Sequence, residues 1–146
     1  MKKITPFLWF DTQAEEAMNY YVSIFKNSKV IVTSPQMVQF ELDGQEFIGL
    51  NAGPQFKFNE AVSFFVNCEN QKEVDEYWNK LVGDGGEESM CGWCKDKFGL
   101  WWQIVPKQLG ELMGDPDQAK AQRTVQAMLK MKKIIVADLE KAYNGK

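Results

Sequence analysis

Residues 4–25 can be laid over residues 61–82 at a constant offset of 57, and seven positions then match in size and polarity. Phe7 falls on Phe64, Glu16 on Glu73, Ala17 on Val74, Tyr20 on Tyr77, Tyr21 on Trp78, Ile24 on Leu81 and Phe25 on Val82. Self-similarity at a fixed spacing constrains a chain more than any local motif, because each copy must fold the same way and bury the same face. The expected unit is strand, helix, then three strands, twice over.

Each copy opens with an apolar run rich in aromatic and β-branched residues, 4–10 and 61–66, the signature of a strand. A helix follows. In the first copy Thr12 and Glu15 stand at capping-box spacing, ahead of a stripe of Ala14, Ala17, Met18, Tyr21 and Phe25. In the second copy Asn70 and Glu73 repeat the cap, and Val74, Tyr77, Trp78, Leu81 and Val82 repeat the stripe. Strands are then expected over 29–33, 37–42 and 46–50, the last two joined by Asp43-Gly44, a strong hairpin signal. The second copy supplies strands at 88–93 and 100–105, with a turn around 96–99. Pro106 closes it, and a helical tail remains. There Asp115 is placed as a cap before Pro116, Ala121, Val125, Met128 and Leu129 form a stripe reaching about Lys133, and a shorter helix covers 137–143. The fold class is therefore α+β in one domain: module one 1–56, module two 57–106, tail 107–146.

Sheets with one wet face alternate polar and apolar residues, whereas sheets covered on both sides do not. Thr5–Phe10, Ser63–Val66 and Leu100–Val105 are apolar on both parities. One face receives the helices; the other packs on a partner or curls round a hollow. In the second case Leu8, Gly49, Asn51, Ser63, Phe65, Trp101 and Gln103 are the candidate pocket residues, small or polar groups set among rings. A buried amide such as Gln103 needs a hydrogen-bond partner, from the protein or from a ligand.

Composition narrows the function. A net charge of −3 argues against nucleic acid as partner, and the five cations between Gln118 and Ala137 read as a solvated helix face. No apolar run is long enough to cross a bilayer, and Asp11 arrives before a signal-peptide core can form, so a cytoplasmic protein is expected. Three cysteines, an odd number, suit a reducing compartment. Cys91-Gly92-Trp93-Cys94 spells C-x-x-C but lies in or beside a strand, without the helix N-terminus that activates such a thiol. Glu15, Glu16, Glu73, Asp75 and Glu76 read as surface carboxylates, not an acid–base pair. The chain has no histidine.

Several stretches resemble the vicinal oxygen chelate superfamily of glyoxalase I and the bleomycin-resistance proteins. The likeness is closest to its PhnB-like branch, whose members are often labelled 3-demethylubiquinone-9 3-methyltransferase. The stretches are 7–11 with 14–17, 40–45, 51–54, 91–99 leading into 102–106, and 128–134. The connection between Thr33 and Met37 is shorter than that family's usual loop. The resemblance implies two modules curling a mixed sheet into a cup, generally as a homodimer. In metal-using relatives one side chain from each of four strands holds a divalent ion. Those places fall here near Thr5 or Pro6, at Gly49, near Ala61 and at Gln103. One neutral amide is no site for zinc or nickel, so no metal and no cofactor are expected. The methyltransferase label is also disfavoured, since the glycine cluster 83–86 follows a helix and enters a strand, the reverse of a cofactor-binding turn. The expected function is binding of a small, partly aromatic or apolar molecule; the alternative is a metal-independent lyase or isomerase, whose catalytic residues the sequence leaves unknown.

Overall fold

The computed structural model describes residues 2–146, in two compact units: one ending at Phe58, the other Asn59–Lys146. In the first unit, β1 (Phe7–Phe10), α1 (Ala14–Ile24), β2 (Lys29–Thr33), β3 (Met37–Leu42) and β4 (Gln45–Asn51) form a four-stranded sheet of order β1-β4-β3-β2. In the second, β5 (Ser63–Cys68), α2 (Gln71–Val82), β6 (Glu87–Glu88), β7 (Trp93–Lys95) and β8 (Trp101–Pro106) form a sheet of order β5-β8-β7-β6. The two orders are the same once counted from each unit's first strand. In both, the first strand runs parallel to the fourth and the rest of the ladder is antiparallel. The duplicated βαβββ unit and the α+β class follow directly.

The β3–β4 hairpin closes on Asp43 and Gly44 alone, with Leu42 opposite Gln45. Both turn residues take positive φ (49° and 80°), the pairing that matches strand twist. Helix α1 buries Ala14, Ala17, Met18, Tyr21 and Ile24 against one face of the first sheet, where Phe40 and Phe47 stack at 5.4 Å. Helix α2 buries Val74, Trp78 and Leu81, and the Trp78 indole N–H donates to Glu88 Oε2 at 2.8 Å.

Several local readings shift. Helix α1 has no side-chain cap from Thr12: it starts after Gln13, and Asn51 Oδ1 accepts from the Ala14 N–H at 2.8 Å in place of a local cap. The Asn70 cap is as expected, its side chain accepting from the Glu73 N–H at 3.0 Å. Residues 88–93 are not one strand. β6 stops at Glu88, and the chain turns through Cys91 and Gly92, both at positive φ (61° and 83°). The tail holds that turn: Cys91 N–H donates to Met131 O at 2.7 Å and Gly92 N–H to Lys132 O at 2.8 Å.

The tail comprises α3 (Lys107–Met113), α4 (Gln118–Met128) and α5 (Val136–Tyr143). The cap of α4 is Asp117, which accepts from Ala119 and Lys120 N–H groups; Asp115 instead takes the Asp117 N–H and the Tyr143 hydroxyl. Helix α4 ends at Met128, short of Lys133, because residues 131–134 are drawn out to bond the Cys91–Gly92 turn and Gln71. Its buried residue is Thr124, and Leu129 is left 49% exposed. Leu109, Ile134 and Leu139 of the tail form a buried cluster with Val105 of β8. Among the described residues no helix is long and apolar enough to cross a membrane.

Candidate binding face

The face of the second sheet that α2 does not cover is laid out by strand parity, since alternate residues point to opposite sides. Register places Phe65, Gln103 and Trp93 in one row across β5, β8 and β7. The neighbouring row is Ser63, Trp101, Lys95 and Glu87. The opposite face carries Trp102 and Cys94, both buried. Phe65 is 60% exposed, while Trp93, Trp101, Ser63 and Gln103 are half-buried. Val105, next on that parity, is covered by the tail cluster.

Polar groups on this face are few. The Gln103 carboxamide N–H donates to Ser63 Oγ at 2.9 Å. Lys95 pairs with Glu87 at 3.4 Å and stands 6.0 Å from the Trp101 ring. The rings of Trp93 and Trp101 are 6.5 Å apart. Beneath them, Asp96 fixes the β7–β8 turn. It is buried; one carboxylate oxygen accepts from the Phe98 and Leu100 N–H groups and the other from the Trp102 indole. Groups with displaced pKa lie elsewhere. Burial pushes the Cys68 and Cys94 thiols up to about 12, and both are on the α2 side.

Of the expected pocket residues, Ser63, Phe65, Trp101 and Gln103 share this face. Leu8 and Gly49 do not belong to an open face: they are register partners on the side covered by α1, and a Cβ on Gly49 would lie 2.9 Å from Val38 Cγ2 and 3.6 Å from Ala14 Cβ. Asn51 is absorbed in structure, capping α1 and donating to Pro35 O at 3.1 Å. Trp93 was not among the expected residues. Its pairing with Gln103 across the β7–β8 ladder, not a local pattern around it, puts it on this face.

The places that hold a metal in the fold's metal-using relatives do not fit one here. Thr5 offers only a neutral hydroxyl and Pro6 no ligating side-chain atom, Gly49 has no donor and faces α1, Ala61 is an exposed turn residue, and Gln103 offers a neutral amide already bonded to Ser63. Among the described residues no three Cys, Asp, Glu or His side chains gather as a metal cluster. A separate trough of about 570 Å³ lies on the tail between α4 and α5, lined in part by Gln122, Arg123, Gln126 and Lys130. Its arginine is committed, donating to the Ala142 and Tyr143 carbonyls that end α5.

Residues 2–105 match the model of the family described as 3-demethylubiquinone-9 3-methyltransferase. No curated protein matches the chain. Among solved structures, a Bacillus cereus PhnB protein described with the same methyltransferase name is 34% identical, with a TM-score of 0.66, over 72% of this chain and 99% of that one. Two more distant structures share the fold. Protein PA1353 of Pseudomonas aeruginosa is 17% identical with a TM-score of 0.62, over 73% of this chain and 98% of its own. The fosfomycin resistance protein FosX of Listeria monocytogenes, complexed with Mn(II) and sulfate, is 15% identical with a TM-score of 0.53, over 70% and 88%. The twice-repeated βαβββ unit and these likenesses lead to one conclusion: the chain belongs to the 3-demethylubiquinone-9 3-methyltransferase family, the PhnB-like branch of the vicinal oxygen chelate superfamily.

Proposed function

We propose that this chain is a metal-independent binding protein, one glyoxalase-like domain acting as a cytoplasmic homodimer, that holds a small, partly aromatic molecule on the open face of its second sheet. The observation that carries this reading is the ring of Phe65, 60% exposed, beside half-buried Trp93 and Trp101 with one carboxamide among them. Exposed aromatic area of this kind is costly to leave in water and favours a flat partner. Among the described residues the hydroxyl of this face, Ser63, is bonded to the Gln103 amide rather than to a base, which favours binding over the lyase or isomerase alternative. Methyl transfer is not part of the reading, because Gly83–Gly86 leads from α2 into β6 rather than from a strand into a helix.

Dimerisation is supported by β2, an edge strand whose Val30, Ile31 and Val32 are 43%, 40% and 42% exposed. Such an edge is a ready template for another chain. A panel of flat apolar molecules, followed by tryptophan emission, is expected to contain quenchers whose effect is lost in a Phe65→Ser/Trp101→Leu variant. Unaltered quenching in that variant would reject the face as the site. Sedimentation of tag-free protein should report a dimer, and elemental analysis no stoichiometric divalent ion; one ion per chain would overturn the metal-independent reading.

A further inference from the structure

Gln103 is walled by three rings: Phe65 and Trp93 are its register partners on either side, and Trp101 is its neighbour on the same face of β8. A primary amide carries two N–H donors and a carbonyl acceptor, and a serine hydroxyl can donate as well as accept. The bond from Gln103 Nε2 to Ser63 Oγ uses one donor. The carboxamide oxygen, the second N–H and the Ser63 hydroxyl proton have no partner among the described residues. Gln103 is also not sealed away, so this capacity is presented outward between aromatic surfaces. The only charges in the two rows, Lys95 and Glu87, neutralise each other.

We infer that Gln103 selects, on the face proposed above, a neutral planar heterocycle whose edge sets an N–H donor beside an oxygen or nitrogen acceptor. The inference rests on that binding face and adds the chemistry of its occupant. A carboxamide meets such an edge with two parallel hydrogen bonds, as glutamine does with the N6/N7 edge of adenine. The flanking rings stack on the ligand's faces, an attraction indifferent to the edge. The two contributions are therefore separable: rings give affinity for anything flat, and Gln103 gives discrimination. A site built to hydrogen-bond its ligand rejects the analogue lacking those groups strongly, because its polar atoms would be desolvated without a partner.

Three probes of similar size separate the possibilities by tryptophan quenching: 2-quinolone, which has the donor–acceptor edge; naphthalene, which has none; and 2-naphthoate, which is charged. The wild type is expected to bind 2-quinolone about tenfold or more tighter than naphthalene, and 2-naphthoate no better than naphthalene. Gln103→Leu should reduce 2-quinolone to the naphthalene level while naphthalene changes less than about twofold, which also shows that the variant is folded. Ser63→Ala, a smaller change, should lower 2-quinolone affinity alone. Equal affinity for 2-quinolone and naphthalene in the wild type overturns the edge reading and leaves the aromatic face standing. Tightest binding of 2-naphthoate overturns the neutral class. Quenching by none of the three removes both the edge and the face.

Discussion

Asp96 shows how one residue sets the second sheet. A carboxylate at 1% exposure is tolerable only with full hydrogen bonding, and its two oxygens accept from Phe98 N–H, Leu100 N–H and the Trp102 indole. Those bonds close the turn between β7 and β8 and orient Trp102, so they also fix the register that sets Trp101 and Gln103 on the opposite side. Asp96→Ala leaves three donors without this acceptor, the Leu100 N–H and the Trp102 indole among them in buried surroundings. A loss of about 3 kcal/mol in unfolding free energy is expected from chemical denaturation. The same variant should broaden tryptophan emission. An unchanged midpoint would show that the turn is held by its backbone alone. Asn51 is the counterpart in the first unit. Asn51→Ala removes the acceptor for the Ala14 N–H and the donor to Pro35 O, and should cost about 1–2 kcal/mol by the same measurement.

At the scale of elements, the helices were legible and the strand faces only partly so. Ala17, Tyr21 and Ile24 of α1 and their mates Val74, Trp78 and Leu81 are all buried, as the offset of 57 requires. In the strands the overlay fails by one residue. Phe7 is 55% exposed on the side away from α1, whereas Phe64 pairs with buried Trp102 on the side of α2. Ala17 follows Phe10 by seven positions but Val74 follows Cys68 by six, and a one-residue difference turns every side chain of a strand over. Helical periodicity survives such a slip because the helix carries its own frame; strand parity does not. Leu8, expected on a pocket, accordingly lies under α1 with its register partner Gly49, while Phe65, at Leu8's place in the overlay, lies in the open. Trp93 became visible only through cross-strand register, which no local pattern encodes.

The last helix carries a prediction of its own. Tyr143 of α5 donates its hydroxyl to Asp115, ahead of α4. That bond holds the Asp115 carboxyl below its ordinary 3.8 and the Tyr143 phenol above its ordinary 10.0. A lowered carboxyl pKa contributes stability above 3.8, lost as pH falls through the folded-state value. A raised phenol pKa contributes stability below 10.0, lost as pH rises through its folded-state value. Protection of α5 amides in hydrogen exchange, corrected for intrinsic rates, should therefore be flat between these limits and fall outside both. Tyr143→Phe should remove the alkaline edge and weaken the acid one, where the Asp117 N–H still bonds the carboxylate, and a slope near neutrality would contradict this.

The whole molecule is larger than its family match, which ends at residue 105, yet residues 107–146 are joined to the second unit at every level. Gln71 at the start of α2 donates to Ile134 O at 3.0 Å and accepts from Val136 N–H at 2.7 Å; Lys133 pairs with Asp75 at 2.9 Å. Ile134 and Leu139 are fully buried, and a Cβ added to Gly92 would meet Ile134 Cδ1 at 2.7 Å. Burying two such side chains contributes about 1.5–3 kcal/mol each, a large share of the roughly 5–15 kcal/mol that stabilises a domain. The tail also supplies the carbonyls that hold the Cys91–Gly92 turn, and hence the start of β7 with Trp93. A chain cut after Pro106 exposes Val105 and frees that turn, so it should unfold at a temperature lower by ten degrees or more, roughly what several kcal/mol removes from a domain of this size. Tryptophan emission should shift to the red as Trp93 and Trp101 lose their setting. Adding residues 107–146 as a separate peptide should restore part of both. If the shortened chain melts at the same temperature with unshifted emission, the tail is an appendage and the proposed binding face stands without it.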